Sequence, residues 1–155
     1  MRIGILRHGI AEDHARSDFD RRLVPSGRAE LARVAELIYR AGYRPKVIVH
    51  SPLVRAVQTA QLVGERFPGV PLHEAEELAW PDLDAILRLC AGLEDPLLVG
   101  HEPTLGRLVG KLIGAPEGST PLERAGFALV DVDRIPTTRP GTLRVFVHPS
   151  LAPPT

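Results

Sequence analysis

Three short apolar runs recur along the chain: Ile3-Gly4-Ile5-Leu6, Lys46-Val47-Ile48-Val49-His50 and Pro96-Leu97-Leu98-Val99-Gly100. Each is followed by polar residues and then by a helical pattern. Strands alternating with helices predict an α/β fold, a three-layer α/β/α sandwich whose mostly parallel central sheet is covered on both faces. The first helical pattern opens at Pro25-Ser26-Gly27, carries Leu31, Val34, Ala35 and Ile38 on one face, and stops at Gly42. The second is expected from Ser51 as N-cap and Pro52 as first helical residue as far as Phe67. A third is capped by Asp82 and runs to about Ala91; a fourth, with Leu105, Leu108, Val109 and Leu112, ends at Gly114. Residues 69–81 read as a short extended piece and a loop, with Trp80 packing near the rim. Gly126–Val132 and Thr142–His148 read as β segments. Nothing divides the chain into two domains, so residues 1–148 are expected to be one domain and the proline-rich 149–155 a frayed tail.

In such folds ligands bind beyond the carboxyl ends of the strands. Arg7-His8-Gly9 follows the first run, His50-Ser51 and then Arg55 the second, and His101-Glu102 the third. The first set alone could be a strand that happens to end in polar residues; the coincidence of three such ends is what points to a site. A guanidinium offers a planar fork of donors that suits phosphate, and an uncharged imidazole is a good nucleophile at neutral pH. Gly9 lets the backbone turn sharply and approach a ligand closely. Arg55 lies one turn into its helix, so its side chain can point back toward the helix N-terminus, where unpaired N–H groups favour an anion. A pocket of Arg7, Arg55, two helix N-termini and His101 is suited to a phosphoryl group.

Charge and composition exclude several alternatives. Lys+Arg and Asp+Glu both total 19, so no net field attracts nucleic acid or an anionic membrane. Only Lys46 and Lys111 among the basic residues are lysines, a bias that suits phosphate recognition but for which genome composition or a thermophilic source is the preferred explanation. The single Cys90 excludes an intrachain disulfide and fits an apolar helix face with Leu83, Ile86 and Leu87. No signal-peptide pattern or membrane-length apolar run is visible, and a cytoplasmic location is expected. There is no Walker-type glycine loop. His8, His50 and His101 could form a metal site, but their spacing gives it no support, and no metal or other cofactor is expected. His14, His73 and His148 read as surface or loop histidines, and His50 as structural.

Leu6-Arg7-His8-Gly9, Ser51-Pro52-Leu53-Val54-Arg55-Ala56-Val57-Gln58-Thr59-Ala60 and Val99-Gly100-His101-Glu102-Pro103 resemble, in order, the three signature segments of the histidine phosphatase (phosphoglycerate-mutase-like) superfamily. The short length, Gly-His-Glu-Pro and the late segment Leu122-Glu123-Arg124-Ala125-Gly126 are most similar to its SixA-type phosphohistidine phosphatases. The resemblance implies that His8 attacks phosphorus and becomes phosphorylated, that Arg7 and Arg55 bind the phosphoryl oxygens, and that His101 donates a further hydrogen bond. It also implies a fourth ligand in a segment that here reads Arg21-Arg22-Leu23-Val24-Pro25-Ser26-Gly27. Counting back from Gly27 selects Arg21, with Arg22 the alternative.

Substrate class turns on a general acid. An alkyl phosphate expels a poor leaving group and needs one, whereas the nitrogen of phosphohistidine is easily protonated. Glu74, Glu76, Glu77, Asp82 and Asp84 crowd the middle of the chain, where related mutases and ester phosphatases carry an acid, but none sits in a recognisable motif. The sequence therefore favours a metal-independent phosphatase acting on phosphohistidine in a protein. The alternatives are a phosphatase of small phosphoesters or other phosphorylated metabolites and a catalytically inactive phosphate-binding module. The partner is then a phosphorylated protein or a small phosphoester, in an oligomeric state that the sequence leaves open.

Overall fold

Strand β1 (Arg2–Arg7) runs through the middle of the molecule because its side chains are apolar on both faces: Ile3, Ile5 and Leu6 are all fully buried. The structure, a computed structural model, describes residues 1–154. It also contains β2 (Val47–His50), β3 (Leu72–Glu74), β4 (Pro96–Gly100), β5 (Phe127–Asp131) and β6 (Thr142–Val147), joined in one sheet of order β3-β2-β4-β1-β5-β6. β3, β2, β4 and β1 are parallel, and β5 and β6 are antiparallel additions at the β1 edge. The chain forms a single α/β domain.

The period-two alternation of the strands divides the core between two layers. Leu6, Ile48, Leu97 and Val99 face α1 (Pro25–Arg40) and α2 (Val54–Gly64). Ile3, Ile5, Val49 and Leu98 face α3 (Leu83–Ala91) and α4 (Thr104–Ile113). Three of the helices bury the face their spacing predicts: Leu31, Val34, Ala35 and Ile38 from α1, Ile86 and Cys90 from α3, Leu105, Leu108, Val109 and Leu112 from α4. The Asp82 carboxylate accepts Ala85 N–H as the N-cap of α3, and Gly114 ends α4 at φ +72°.

Four local expectations differ. Ser51 does not cap α2, which starts at Val54; its hydroxyl takes the Leu53 N–H within a short turn and faces another strand end. α2 closes at Gly64, and single tightened turns carry the chain to Phe67. The loop after β3 contains a 3-10 turn at Glu76–Ala79, and Trp80 beyond it is 60% exposed rather than packed. The tail does not fray as a whole. Pro149–Leu151 form a 3-10 turn, and Ala152 is buried in the layer of α1 because a small apolar side chain there covers its edge. Thr155, part of that tail, lies outside the described residues.

Gly4 sits under the Tyr43 ring, where a β-carbon would collide with the phenol oxygen. The ring packs edge-on against Phe127 and Phe67, and its buried hydroxyl has no hydrogen-bond partner among the described residues. An unsatisfied buried hydroxyl costs more than it returns, so Tyr43→Phe should stabilise the fold by about 1 kcal/mol in denaturant unfolding. A loss of stability would show that the hydroxyl has a partner.

Candidate active site

Parallel register levels the carboxyl ends of β1, β2 and β4. Arg7 pairs with Gly100 and His50 with Val99, so the residues that follow each strand emerge at one edge. His8 N–H donates to Gly100 O at 3.0 Å and Ser51 N–H to Val99 O at 3.0 Å. The His8 and His101 rings, far apart in sequence, come to 5.2 Å between centroids.

His8 is 6% exposed. Its Nδ1 lies 2.7 Å from the Gly9 carbonyl oxygen, which can only accept, so Nδ1 carries the proton and Nε2 the lone pair in the neutral ring. Gly9 is fixed in turn: its N–H donates to Thr59 Oγ1 at 3.2 Å, and that hydroxyl donates to Arg55 O at 2.7 Å. A β-carbon at Gly9 would collide with Leu31, so the turn requires glycine. Burial, ahead of the nearby His101, Arg55 and Arg7, pushes the His8 pKa down to about 3. The ring is therefore neutral at physiological pH.

The two arginines are held in the same way. Arg7 Nη1 donates to Leu122 O at 3.0 Å, and Arg55 Nη1 donates to Asp18 O at 2.8 Å. In both, Nε is buried without a partner among the described residues. His101 Nε2 meets Ser51 Oγ at 2.7 Å, and its Nδ1 is a third buried atom without a partner. Burial first, then Arg55 and Arg7, pushes the His101 pKa down to about 4, with Asp18 opposing. Two N–H donors and one imidazole nitrogen thus stand unpaired at one strand edge, where an unmade hydrogen bond is costly. A tetrahedral oxyanion would satisfy them.

Arg21 joins this group through a carboxylate. Its Nη1 donates to Asp18 Oδ1 at 2.9 Å, while Asp18 Oδ2 faces Arg55 Nη2 at 3.3 Å. Arg22, the alternative, is joined to Glu12 through its backbone N–H and carbonyl, and among the described residues its side chain is bonded to no site side chain. Among the described residues none of Glu74, Glu76, Glu77, Asp82 and Asp84 is bonded to a site side chain, and Asp82 is occupied in capping α3. Glu102, beside Arg7, has its pKa raised by burial and turns its carboxylate to the Gly106 and Leu122 amides. His50 is buried with Nδ1 on Ser51 O, His14, His73 and His148 are exposed, and no three His, Cys, Asp or Glu side chains of the described residues are grouped to hold a metal ion. A polar cavity of about 500 Å³ lies at the opposite, amino edge of the sheet, where Arg2 and Arg144 neutralise Asp131. No helix of the described residues is long and apolar enough to cross a membrane.

Asp18, Ser51 as the partner of His101, and Thr59 as the brace of Gly9 were not assigned these places from sequence. Ser51 and Thr59 lie inside a signature segment, but nothing in that segment marks the partners they take, and Asp18 carried no signal.

The family model described as histidine phosphatase superfamily (branch 1) matches residues 3–83. An uncharacterized protein of Picosynechococcus sp. strain PCC 7002 is 34% identical over 114 residues, 68% of this chain and 69% of that protein. The fold matches the protein histidine phosphatase SixA complexed with tungstate, at TM-score 0.84 and 26% identity over 97% of this chain and 98% of that one. It also matches a structure from Agrobacterium tumefaciens provisionally named phosphohistidine phosphatase SixA, at TM-score 0.81 and 29% identity over 95% and 97%. The chain belongs to the histidine phosphatase superfamily, and its fold is that of the SixA structures.

The depressed histidines make stability depend on pH. Between each folded pKa, about 3 and about 4, and the ordinary value near 6.5, the unfolded chain binds the proton and the folded chain does not. Their contribution is complete above that ordinary value and is lost as pH falls below it, by about 1.4 kcal/mol per pH unit per histidine. Stability to denaturant should therefore fall between pH 7 and pH 5, and His8→Asn should flatten the slope. An unchanged slope in His8→Asn would mean that His8 is not held neutral.

Proposed function

We propose that this protein is a metal-independent phosphatase that passes a phosphoryl group through His8, and that its substrate is phosphohistidine in a protein. The observation that carries this reading is the set of unpaired buried atoms, Arg7 Nε, Arg55 Nε and His101 Nδ1, gathered around a neutral histidine whose Nδ1 proton is held by Gly9 O. His8 Nε2 attacks phosphorus; the P–N bond forms on its lone pair while Nδ1–H stays on the carbonyl. Arg7 and Arg55 stay charged and bind the phosphoryl oxygens, with Arg21 beside them. His101, oriented by Ser51, presents Nδ1–H to a further oxygen, and the bound dianion offsets the arginines that disfavour its charge. Water then takes the phosphoryl group from His8 and releases phosphate. The similar SixA structure complexed with tungstate, a tetrahedral oxyanion, supports this use of the site.

Phosphohistidine is favoured over a phosphoester because the carboxyls bonded at the site are committed elsewhere: Asp18 is held ionised by Arg21 and Arg55, and Glu102 accepts the Gly106 N–H, so neither is placed as an acid for an alkoxide. The mouth is also open to a macromolecule, with Asp18 and Phe19 exposed along it. Phosphate release is measured from a histidine-phosphorylated protein and from a panel of phosphoesters. Release selective for phosphohistidine and absent in His8→Ala is expected, unchanged by a chelator. Arg55→Ala should lose a factor on the order of 10²–10³, the effect of removing one transition-state donor. Preference for a phosphoester overturns the substrate assignment, and wild-type turnover in Arg55→Ala or His8→Ala overturns the site.

A further inference from the structure

Asp18 lies in the loop between β1 and α1, and its position is fixed from several sides. Asp20 N–H donates to Ser17 O, Ser17 Oγ donates to Asp20 Oδ2, and Arg21 Nε donates to Glu12 O at 2.5 Å. Val54 N–H donates to Phe19 O, tying the loop to the first residue of α2. The Asp18 carbonyl and both carboxylate oxygens then engage Arg55 and Arg21.

These contacts arrange the site by depth. His8 forms the floor, Arg55, with its side chain 8% exposed, forms the wall, and Asp18, with its side chain 69% exposed, stands at the mouth. Arg55 Nε is buried and has no partner among the described residues, while Nη1 and Nη2 are taken by the Asp18 carbonyl and carboxylate. A phosphoryl group on Arg55 Nε and under attack from His8 Nε2 must expel its leaving group in line, away from the floor and toward the mouth. The carboxylate at that mouth is the group that the leaving group meets.

Resting on the proposed phosphohistidine phosphatase activity, we infer that Asp18 is the leaving-group residue: its carboxylate, held by Arg21 and Arg55, accepts the ring N–H of the protonated phosphohistidine imidazole. The step balances without a general acid. The substrate imidazole carries phosphorus on one nitrogen and a proton on the other. As the bond from His8 Nε2 to phosphorus forms, the old P–N bond breaks and its electron pair returns to the substrate ring. That ring leaves as neutral imidazole, keeping the proton that faces Asp18. The new phospho-His8 carries the equivalent proton on Nδ1, where Gly9 O holds it. Asp18 and Gly9 O thus do the same service for the two rings that exchange the phosphoryl group.

Asp18 suits an acceptor and not an acid. Its hydrogen bond from Arg21, together with Arg55, keeps its pKa below the ordinary carboxylate value. The charged and titratable groups facing it are Arg21 from its own loop, Arg55 from α2 and the neutral His101 from the β4–α4 junction. The arginines also offset its repulsion of a phosphoryl dianion.

The test compares wild type with Asp18→Asn, which keeps the shape and an acceptor oxygen but removes the charge. One substrate is a histidine-phosphorylated protein. The other is p-nitrophenyl phosphate, whose leaving group departs as a phenolate and needs no proton. A carboxylate within about 4–6 Å favours a protonated imidazole by about one pH unit or more. Asp18→Asn should therefore move the alkaline limb of the phosphohistidine profile down by about one unit, with about tenfold loss of kcat/KM near pH 8.5 and much less near pH 6. The aryl phosphate profile should keep its shape, and the loss should be at least about tenfold smaller there at the alkaline pH. Equal loss on both substrates at every pH would overturn the inference and make Asp18 only a prop for Arg21 and Arg55. No loss on either would overturn it as well. If wild type itself fails on phosphohistidine while hydrolysing the aryl phosphate, the substrate assignment fails first and the inference with it.

Discussion

The hydrogen bond from His8 N–H to Gly100 O is the contact on which the site depends. It is the last rung of the parallel β1–β4 ladder, and it sets the end of one strand directly against the end of the next. Shifting that register by one residue would turn every side chain of β1 to the other face, removing Ile3 and Ile5 from one layer and Leu6 from the other. The apolar core therefore fixes the register, and the register brings His8 to His101 across more than 90 residues of chain. Packing and chemistry are coupled through this one pairing.

Electrostatics then decide what the site can do. Burial is what chiefly keeps His8 uncharged, with His101 and the two arginines adding to it, while the guanidinium groups of Arg7 and Arg55 keep the charge that an anion needs. Each arginine is anchored through Nη1 by a backbone carbonyl, Leu122 O or Asp18 O, which fixes the guanidinium plane before any ligand arrives. A preorganised donor needs little rearrangement when charge develops on the transferred group. The carbonyls that do this come from the loop before α1 and the loop before β5, so irregular stretches of chain set the positions of the most demanding side chains.

Much of this was legible because it rests on period and punctuation. The strands, the buried helix faces, the Asp82 cap and the Gly114 stop follow from local pattern, and His8, Arg7, Arg55 and His101 were visible as the polar ends of apolar runs. What was not legible depends on distance. Ser51 looked like a helix cap because serine before proline has that preference, yet its hydroxyl bonds a histidine 50 residues away. Asp18 lies in a charged loop without period, and only folding shows that Arg21 and Arg55 converge on it. The link from Arg21 through Asp18 to Arg55 likewise needed the loop, which leaves Arg22 exposed. The tail read as frayed from its prolines, and a single alanine buried against α1 overrides that composition.

The central claim is that His8 carries the phosphoryl group between substrate and water. It is tested most directly by mixing enzyme with a radiolabelled histidine-phosphorylated protein, quenching in alkali within the first turnover, and mapping the label by mass spectrometry. Phosphate on Nε2 of His8, stable to base and lost in acid, is the predicted result. Release of labelled phosphate with no phosphorylated enzyme at any time, or label on another residue, would contradict it.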